Sequence, residues 1–409
     1  MKGGKGSSIS HIEAREKVLS AVKTVEVEKV PLEQCFGRIL AQNVCAADNV
    51  PPFDRSPLDG YAFRAADVEG ASSENPVTLK VIDYIPAGDV SHCPVTEGTA
   101  VRLMTGAPIP EGADAVTMYE VTEFTDTEVK IFRPSKPGDN IVLAGEDVKK
   151  GTVLASPGMK IDIGLMGTLA SQNIAEPLVY KKVKVGLIST GSELVPVGSE
   201  LQPGKIFDSN SFTLAGAVES MGMTAVRYGI AADNAEGISE KISAALEECD
   251  AVLLTGGASV GDFDVTPEAM VMSGVEILFR GVALKPGMAC SFGVKGGKLV
   301  CGLSGNPASS LTTFLVVSTV GLKKIAGCAE CIPAEFDAEL AYDFKKKSKG
   351  TRVLRGRLDL SEGKPKLYIS QEQGNVVISS TIGCDCLAFV PAGSGPLPAG
   401  TMLKAFMID

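Results

Sequence analysis

Residues 251–267 read Ala-Val-Leu-Leu-Thr-Gly-Gly-Ala-Ser-Val-Gly-Asp-Phe-Asp-Val-Thr-Pro, and this stretch decides the fold. Four consecutive apolar residues, Ala251 to Leu254, carry no alternating polar face, the pattern of a strand buried on both sides in a parallel sheet. The run breaks at Thr255-Gly256-Gly257. Thr266-Pro267-Glu268 then signals a helix, with Thr266 as N-cap and Pro267 at the first helical position. Strand, glycine-rich loop and helix start are the parts of an anion site: glycines let the backbone approach a ligand, and unpaired N–H groups face its oxygens. Asp262 and Asp264 in the same loop would repel a bare phosphate, so their presence points to a bridging divalent cation. A tight turn with two solvated acids is the competing reading of the loop taken alone.

On both sides of this stretch the chain alternates between strand and helix patterns. Val183 to Ser189 is a strand ending in Thr190-Gly191-Ser192-Glu193. Ser209 caps a helix over 211–221 that Gly222 closes. Thr224 to Ile230 is the next strand, ending at Asp233-Asn234, and a helix follows to Cys249 with Ile238, Ile242, Ala245 and Leu246 on one face. After the central stretch come a strand from Val275 to Val282, Lys285-Pro286-Gly287, a β pair, and Ser304-Gly305-Asn306-Pro307 opening a last helix. Doubly wound sheets bind ligands at the carboxyl ends of their strands. Glu193, Asp233, Asp262/Asp264 and Ser304-Gly305-Asn306 all fall at such ends, more polar chemistry on one edge than packing requires.

The remaining segments read as β structure and linkers. Pro51-Pro52-Phe53-Asp54-Arg55-Ser56-Pro57-Leu58-Asp59-Gly60-Tyr61-Ala62-Phe63-Arg64 holds too many prolines for a helix or central strand, so it is a loop fixed in one shape. Short β runs punctuated by Gly, Pro and Asp follow to Val153, with a loop at Met104-Thr105-Gly106-Ala107-Pro108-Ile109-Pro110 whose glycine can open the backbone to a ligand. From Cys328 the chain reads as a further small β domain. It is locally basic, and one of its arginines could reach a neighbouring anion. The 409 residues therefore divide into a linking domain (9–45 plus 146–180), an inserted β domain (46–145), an α/β domain (181–327) and a C-terminal β domain (328–409). With 39 basic and 49 acidic residues, the net charge of -10 argues against a nucleic-acid binder. No run of 18 apolar residues and no signal-peptide core are present, so a cytoplasmic protein without a membrane partner is expected. The ten cysteines then default to reduced thiols, and Cys328-x-x-Cys331 and Cys384-x-Cys386 lack the histidines of a zinc site. With only His11 and His92 present, acid–base chemistry must rest on carboxylates, lysines or metal-bound water.

These motifs resemble a known family. The Pro52-to-Ala62 segment, Met104-Thr105-Gly106-Ala107-Pro108, Ser189-Thr190-Gly191-Ser192-Glu193-Leu194, Leu254-Thr255-Gly256-Gly257-Ala258-Ser259-Val260-Gly261 and Lys285-Pro286-Gly287 are similar, in order, to the motifs of molybdopterin molybdotransferases (molybdenum insertases), the family of the gephyrin E domain. The resemblance implies a four-domain subunit, with a three-layer doubly wound α/β domain of molybdopterin-binding type, an inserted β domain, a linking domain and a C-terminal β-barrel. It implies a homodimer in which the small β domain of one subunit completes the pocket of the other, and a molybdopterin adenylyltransferase acting upstream. It implies that adenylylated molybdopterin is cleaved with Mg²⁺ and that molybdate joins the pterin. By the same resemblance Asp59, Thr105, Glu193, Asp233 and Asp264 are the essential polar residues; Asp233, Asp262 and Asp264 are the metal candidates, with either Asp262 or Asp264 facing the ion. Thr190, Gly191, Ser192, Gly256, Gly257, Ser259, Gly261, Lys285, Pro286, Gly287, Ser304, Gly305, Asn306 and Pro307 bind substrate, and Arg355 meets the oxyanion. Three positions depart from the family pattern: Ser304 replaces a proline, Gly281 a lysine and Asn375 a serine. All three touch the expected oxyanion pocket, which leaves a tungstate-preferring paralogue open. An adenylyltransferase-like nucleotide enzyme and a non-catalytic scaffold stay open beside it.

Overall fold

A computed structural model describes residues 8–257, 265–361, 363–370 and 372–408. The chain forms two compact units, one of Met1–Gln42, Pro157–Ile163 and Glu176–Asp409, the other of Asn43–Ser156 and Gly164–Ala175.

The α/β part of the first unit runs through β1 (Lys184–Thr190), α1 (Asn210–Ser220), β2 (Thr224–Ala231), α2 (Ala235–Glu248), β3 (Ala251–Thr255), α3 (Thr266–Met272), β4 (Glu276–Arg280), β5 (Cys290–Lys295) and β6 (Lys298–Leu303). The sheet order is β2-β1-β3-β6-β5-β4; the first four strands are parallel, and β5 is antiparallel to both neighbours. Every residue of β3 is buried. Ala251 and Leu253 pack with Leu214, Val218 and Phe314 on one face, whereas Val252 and Leu254 pack with Ile238, Ile242 and Met270 on the other. Two-sided burial explains why the run has no polar face, and each Leu or Val so buried contributes about 1.5–3 kcal/mol. The layers are α2 and α3 on one side, and α1, the helix His11–Ala21 and the helical stretch 307–325 on the other.

The helix starts differ in detail from their sequence reading. Ser209 precedes α1 without a capping bond, because Asp208 takes that role: its Oδ1 accepts the Ser211 N–H at 3.2 Å and its Oδ2 accepts the Ser189 hydroxyl at 2.7 Å. Thr266 is not the cap of α3; Val265 precedes the helix, and the Thr266 hydroxyl instead donates to the Gly256 carbonyl at 3.2 Å. Asn234 does cap α2, accepting from the Gly237 N–H at 2.7 Å.

The C-terminal strands β7 (Phe336–Leu340), β8 (Thr351–Asp359), β9 (Lys366–Ile369), β10 (Cys386–Val390) and β11 (Met402–Met407) close a barrel in the order β8-β9-β7-β11-β10, with β10 pairing back onto β8. Leu354, Leu367 and Ala388 fill it, while Val353, Leu387 and Phe406 point outward into the α/β core. The second unit is built on a six-stranded sheet ordered Ala115–Met118, Gly60–Phe63, Thr99–Leu103, Val77–Ile85, Glu128–Ile131, Glu123–Phe124, with cores on both faces. All ten cysteines are free thiols. Among the described residues no helix is long and apolar enough to cross a membrane.

Candidate active site

From β1 the chain turns to β2 on one side of the sheet, and it later returns through α2 to β3 on the other side. The loops after β1 and β3 therefore diverge to opposite faces, which opens a crevice at the carboxyl ends of these strands. The residues lining that edge are in close backbone contact. Gly256 has φ +98°, and a Cβ there would lie 1.9 Å from the Thr190 carbonyl oxygen. Its N–H donates to the Leu303 carbonyl at 3.2 Å, and its Cα lies 3.4 Å from where a Cβ on Gly305 would stand. Asn210, at the start of α1, donates from Nδ2 to the Gly305 carbonyl at 2.9 Å. The loops after β1, β3 and β6 thus converge at glycines because side chains there would separate them.

Thr190 is 1% exposed, and its hydroxyl points to the Thr255 carbonyl at 3.4 Å. Glu193 is exposed and folds back over Gly191, while Lys205 Nζ donates to the Ser192 carbonyl at 2.6 Å. Ser304, 5% exposed, accepts the Asn306 N–H at 3.2 Å, so its hydroxyl fixes this turn. Pro307 opens the helix that follows. Asp233 is exposed at the end of β2, on the same edge, next to the cap Asn234. β5 runs antiparallel to β6 with Cys290 opposite Leu303, which brings the preceding Lys285-Pro286-Gly287 to this edge as well. Lys285 is exposed, Pro286 and Gly287 are buried, and the Gly287 carbonyl accepts the Thr313 hydroxyl at 3.0 Å. Ser259, Gly261, Asp262 and Asp264 lie outside the described residues.

The barrel reaches the same region through two ties. Lys285 stands in register with Arg352 of β8, and the Ala308 N–H donates to the Asn375 carbonyl at 3.1 Å. Arg355, on β8, is 1% exposed; its Nε donates to Ser380 Oγ at 2.9 Å and one terminal nitrogen to the Gly374 carbonyl at 3.2 Å. The other terminal nitrogen has no partner among the described residues, and Arg355 borders a cavity of about 240 Å³ together with Thr312, Thr381 and Cys384. Burial lowers the Arg355 pKa. Gly281 has φ +80°, and a Cβ added there would lie 2.9 Å from Ser8 Oγ, so a lysine at this position would need a different backbone.

In the second unit the two motif loops are zipped together. The Ser56 N–H donates to the Ala107 carbonyl at 3.0 Å, and the Gly106 N–H donates to the Ser56 carbonyl at 2.8 Å. Asp59 Oδ1 accepts both the Thr105 N–H at 2.6 Å and its hydroxyl at 2.8 Å. These bonds, backbone first, hold the Asp59 carboxyl below the usual carboxylate range, with a smaller contribution from the Arg102 charge. A carboxylate held low is a poor proton acceptor, so this geometry suits charge stabilisation or substrate positioning better than proton transfer. Sequence reading missed Asp208, Asn210 and Arg102; the acid followed three residues later by a serine was the available signal for the first of these.

Among the described residues no three metal-ligating side chains gather. Glu193 and Asp233 alone do not make a magnesium site.

Three family models match along the chain: the MoeA N-terminal region (domain I and II) over residues 9–172, a probable molybdopterin binding domain over 186–323, and the MoeA C-terminal region (domain IV) over 337–405. The molybdopterin molybdenumtransferase of Staphylococcus epidermidis is 35% identical over 405 residues, covering 99% of this chain and 97% of the relative. That of Staphylococcus aureus is 36% identical over 397 residues, covering 97% and 95%. The crystal structure of the molybdopterin biosynthesis MoeA protein from Pyrococcus horikoshii superposes with a TM-score of 0.84 at 32% identity, covering 98% of this chain and 100% of that one. With its motifs, its crevice and its barrel all accounted for along one continuous match, the chain belongs to the molybdopterin molybdenumtransferase family, a family of transferases.

Proposed function

We propose that this chain transfers molybdate to adenylylated molybdopterin and releases AMP, as a step of molybdenum cofactor biosynthesis in the cytoplasm. The convergence of the loops after β1, β3 and β6 on glycines carries this reading, because it suits a pyrophosphate that must lie close to backbone N–H groups. Water adds to phosphorus, the P–O–P bond breaks, and AMP leaves. One molybdate oxygen departs as water with the two thiol protons as two Mo–S bonds form. Asp59, Thr105, Glu193, Asp233 and Asp264 are assigned to the reaction. Arg355 and Lys285 are assigned to the oxyanion, for which the spare donor of Arg355 is the supporting feature.

Magnesium belongs to the proposal through charge alone. Two unit charges about 4 Å apart repel by ~4 kcal/mol at an effective dielectric of 20, so acids beside a pyrophosphate call for a cation. Asp233, Asp262 and Asp264 are its candidate ligands. Incubation with adenylylated molybdopterin and molybdate, with and without EDTA, tests both parts. AMP release coupled to formation of active cofactor, and stopped by EDTA, is the expected result. Release indifferent to chelation removes the metal, and no release at all removes the function. Tungstate as competitor reads out the Ser304, Gly281 and Asn375 departures.

A homodimer and an upstream molybdopterin adenylyltransferase complete the proposal. Mixing inactive Asp59→Asn and Asp264→Asn subunits should return a quarter to half of wild-type activity, about the share that heterodimers with one intact site would give. Subunits that exchange without any return of activity would confine each site to one chain.

A further inference from the structure

The face of the small sheet beside Asp59 carries a cation, Arg102, whose N–H donors the proposed reaction leaves unused. Tyr61, Arg102 and Tyr84 are register partners on three adjacent strands, so their side chains stand in one row on one face. The Arg102 guanidinium carbon lies 5.4 Å from the Tyr84 ring centre and 5.5 Å from that of Phe124. Ring contacts use the charge of a guanidinium and consume none of its N–H donors.

Two of the nearby acids already take several donors. Asp59 is bonded twice to Thr105, and Asp83 accepts from the Tyr84 N–H, the Ser91 hydroxyl and the His92 N–H at 2.8, 2.8 and 3.2 Å. Arg102 makes no ion pair among the described residues. Beside it Tyr61 is 1% exposed, and its hydroxyl has no hydrogen-bond partner there. A buried hydroxyl left unpaired is unfavourable, and an acceptor that reached it would remove the penalty. Tyr61, Arg102 and Tyr84 border a cavity of about 350 Å³ whose wall also includes Asp83, Thr125 and Asp126.

We propose that this cavity binds the phosphate of a nucleoside monophosphate, with Arg102 as anion anchor and the Tyr61 hydroxyl as second donor. The half-exposed rings of Tyr84 and Phe124 offer a stacking surface for the base. Asp83 and Asp126 disfavour a bare polyanion but accept from ribose hydroxyls, so a nucleotide fits better than inorganic phosphate. The inference rests on the function proposed above, whose substrate carries such a group.

Calorimetric titration of the full-length protein with AMP, adenosine and inorganic phosphate tests it. AMP is expected to bind more tightly than either fragment. Arg102→Gln should weaken AMP by at least about 10-fold, and Arg102→Lys, which keeps the charge but loses the fork, by about 3-fold. Tyr61→Phe should weaken it by roughly 3–5-fold, in line with one lost hydrogen bond. Thermal unfolding of each variant checks that the fold persists. AMP affinity that is absent in the wild type, or equal in wild type and in a folded Arg102→Gln, overturns the proposal. A wild type that inserts molybdate while its AMP affinity ignores Arg102 leaves the function standing without this site. Arg102-dependent AMP binding without any insertion leaves the site standing without the function.

Discussion

The crevice of the α/β unit and the loop pair of the small β unit reach their chemistry by opposite routes. At the crevice the backbone supplies it. Gly256 has no room for a side chain against Thr190, and the loops after β1, β3 and β6 meet because parallel strand order brings their ends to one edge. In the small unit side chains supply it: Asp59 is fixed by Thr105, 46 residues away in sequence, and Arg102 is held by two rings. A backbone-built site fails when one carbon is added, whereas a side-chain-built site fails when one functional group is changed.

The largest effect expected from this contrast is at Gly256. Gly256→Ala places a Cβ at 1.9 Å from a backbone oxygen in a positive-φ conformation, a clash worth about 2–4 kcal/mol together with lost substrate binding. Gly216→Ala, inside α1 with nothing within 4 Å of the added carbon, should be neutral or stabilise by about 1 kcal/mol. Thermal unfolding of the pair decides the point. Equal melting temperatures would break the backbone half of the comparison.

Asp59→Asn comes next, with turnover lower by at least about 10-fold and the fold intact by circular dichroism. Wild-type turnover would reduce the Asp59–Thr105 pair to a loop fastening. Thr105→Val should cost less, a few-fold in rate, because the backbone N–H still reaches Asp59. In that variant the Asp59 carboxyl should titrate closer to the usual carboxylate range, as read by carbon NMR of the side chain.

Much of the crevice was legible because β3 and its neighbours are apolar on both faces, the pattern of strands buried in a parallel sheet. Its edge followed from topology, which the alternation of strands and helices already implied. The small unit was less legible. Asp59 and Thr105 stood out in their motifs, but their contact depends on loops closing across a sheet, and no local pattern encodes that register. Arg102 escaped notice because a single charge in the alternating strand Thr99–Leu103 reads as a solvent-facing residue. The α1 cap was misassigned for a related reason: Ser209 has the right chemistry, but Asp208 also receives the Ser189 hydroxyl and so stands nearer the sheet.

The smallest effect lies outside both regions and serves as their reference. His11 stacks on Phe389 at 4.8 Å, and burial, with the Arg15 charge, lowers its pKa from 6.5 to about 4. The unfolded chain therefore binds a proton between about pH 4 and 6.5 that the folded chain does not. The stability due to neutral His11 is complete above the unfolded value and is lost as pH falls through that window. His11→Phe keeps a ring against Phe389 and should show a smaller drop in melting temperature between about pH 7 and pH 5. An identical drop in both proteins would remove His11 from the acid response.

The proposed function assigns Asp59 and Glu193 to one chemical step. Single-turnover release of AMP from adenylylated molybdopterin, with molybdate present, measures that step in wild type, Asp59→Asn and Glu193→Gln. The account predicts release slowed by at least about 10-fold in both variants with substrate still bound. Release at the wild-type rate in either one would contradict it.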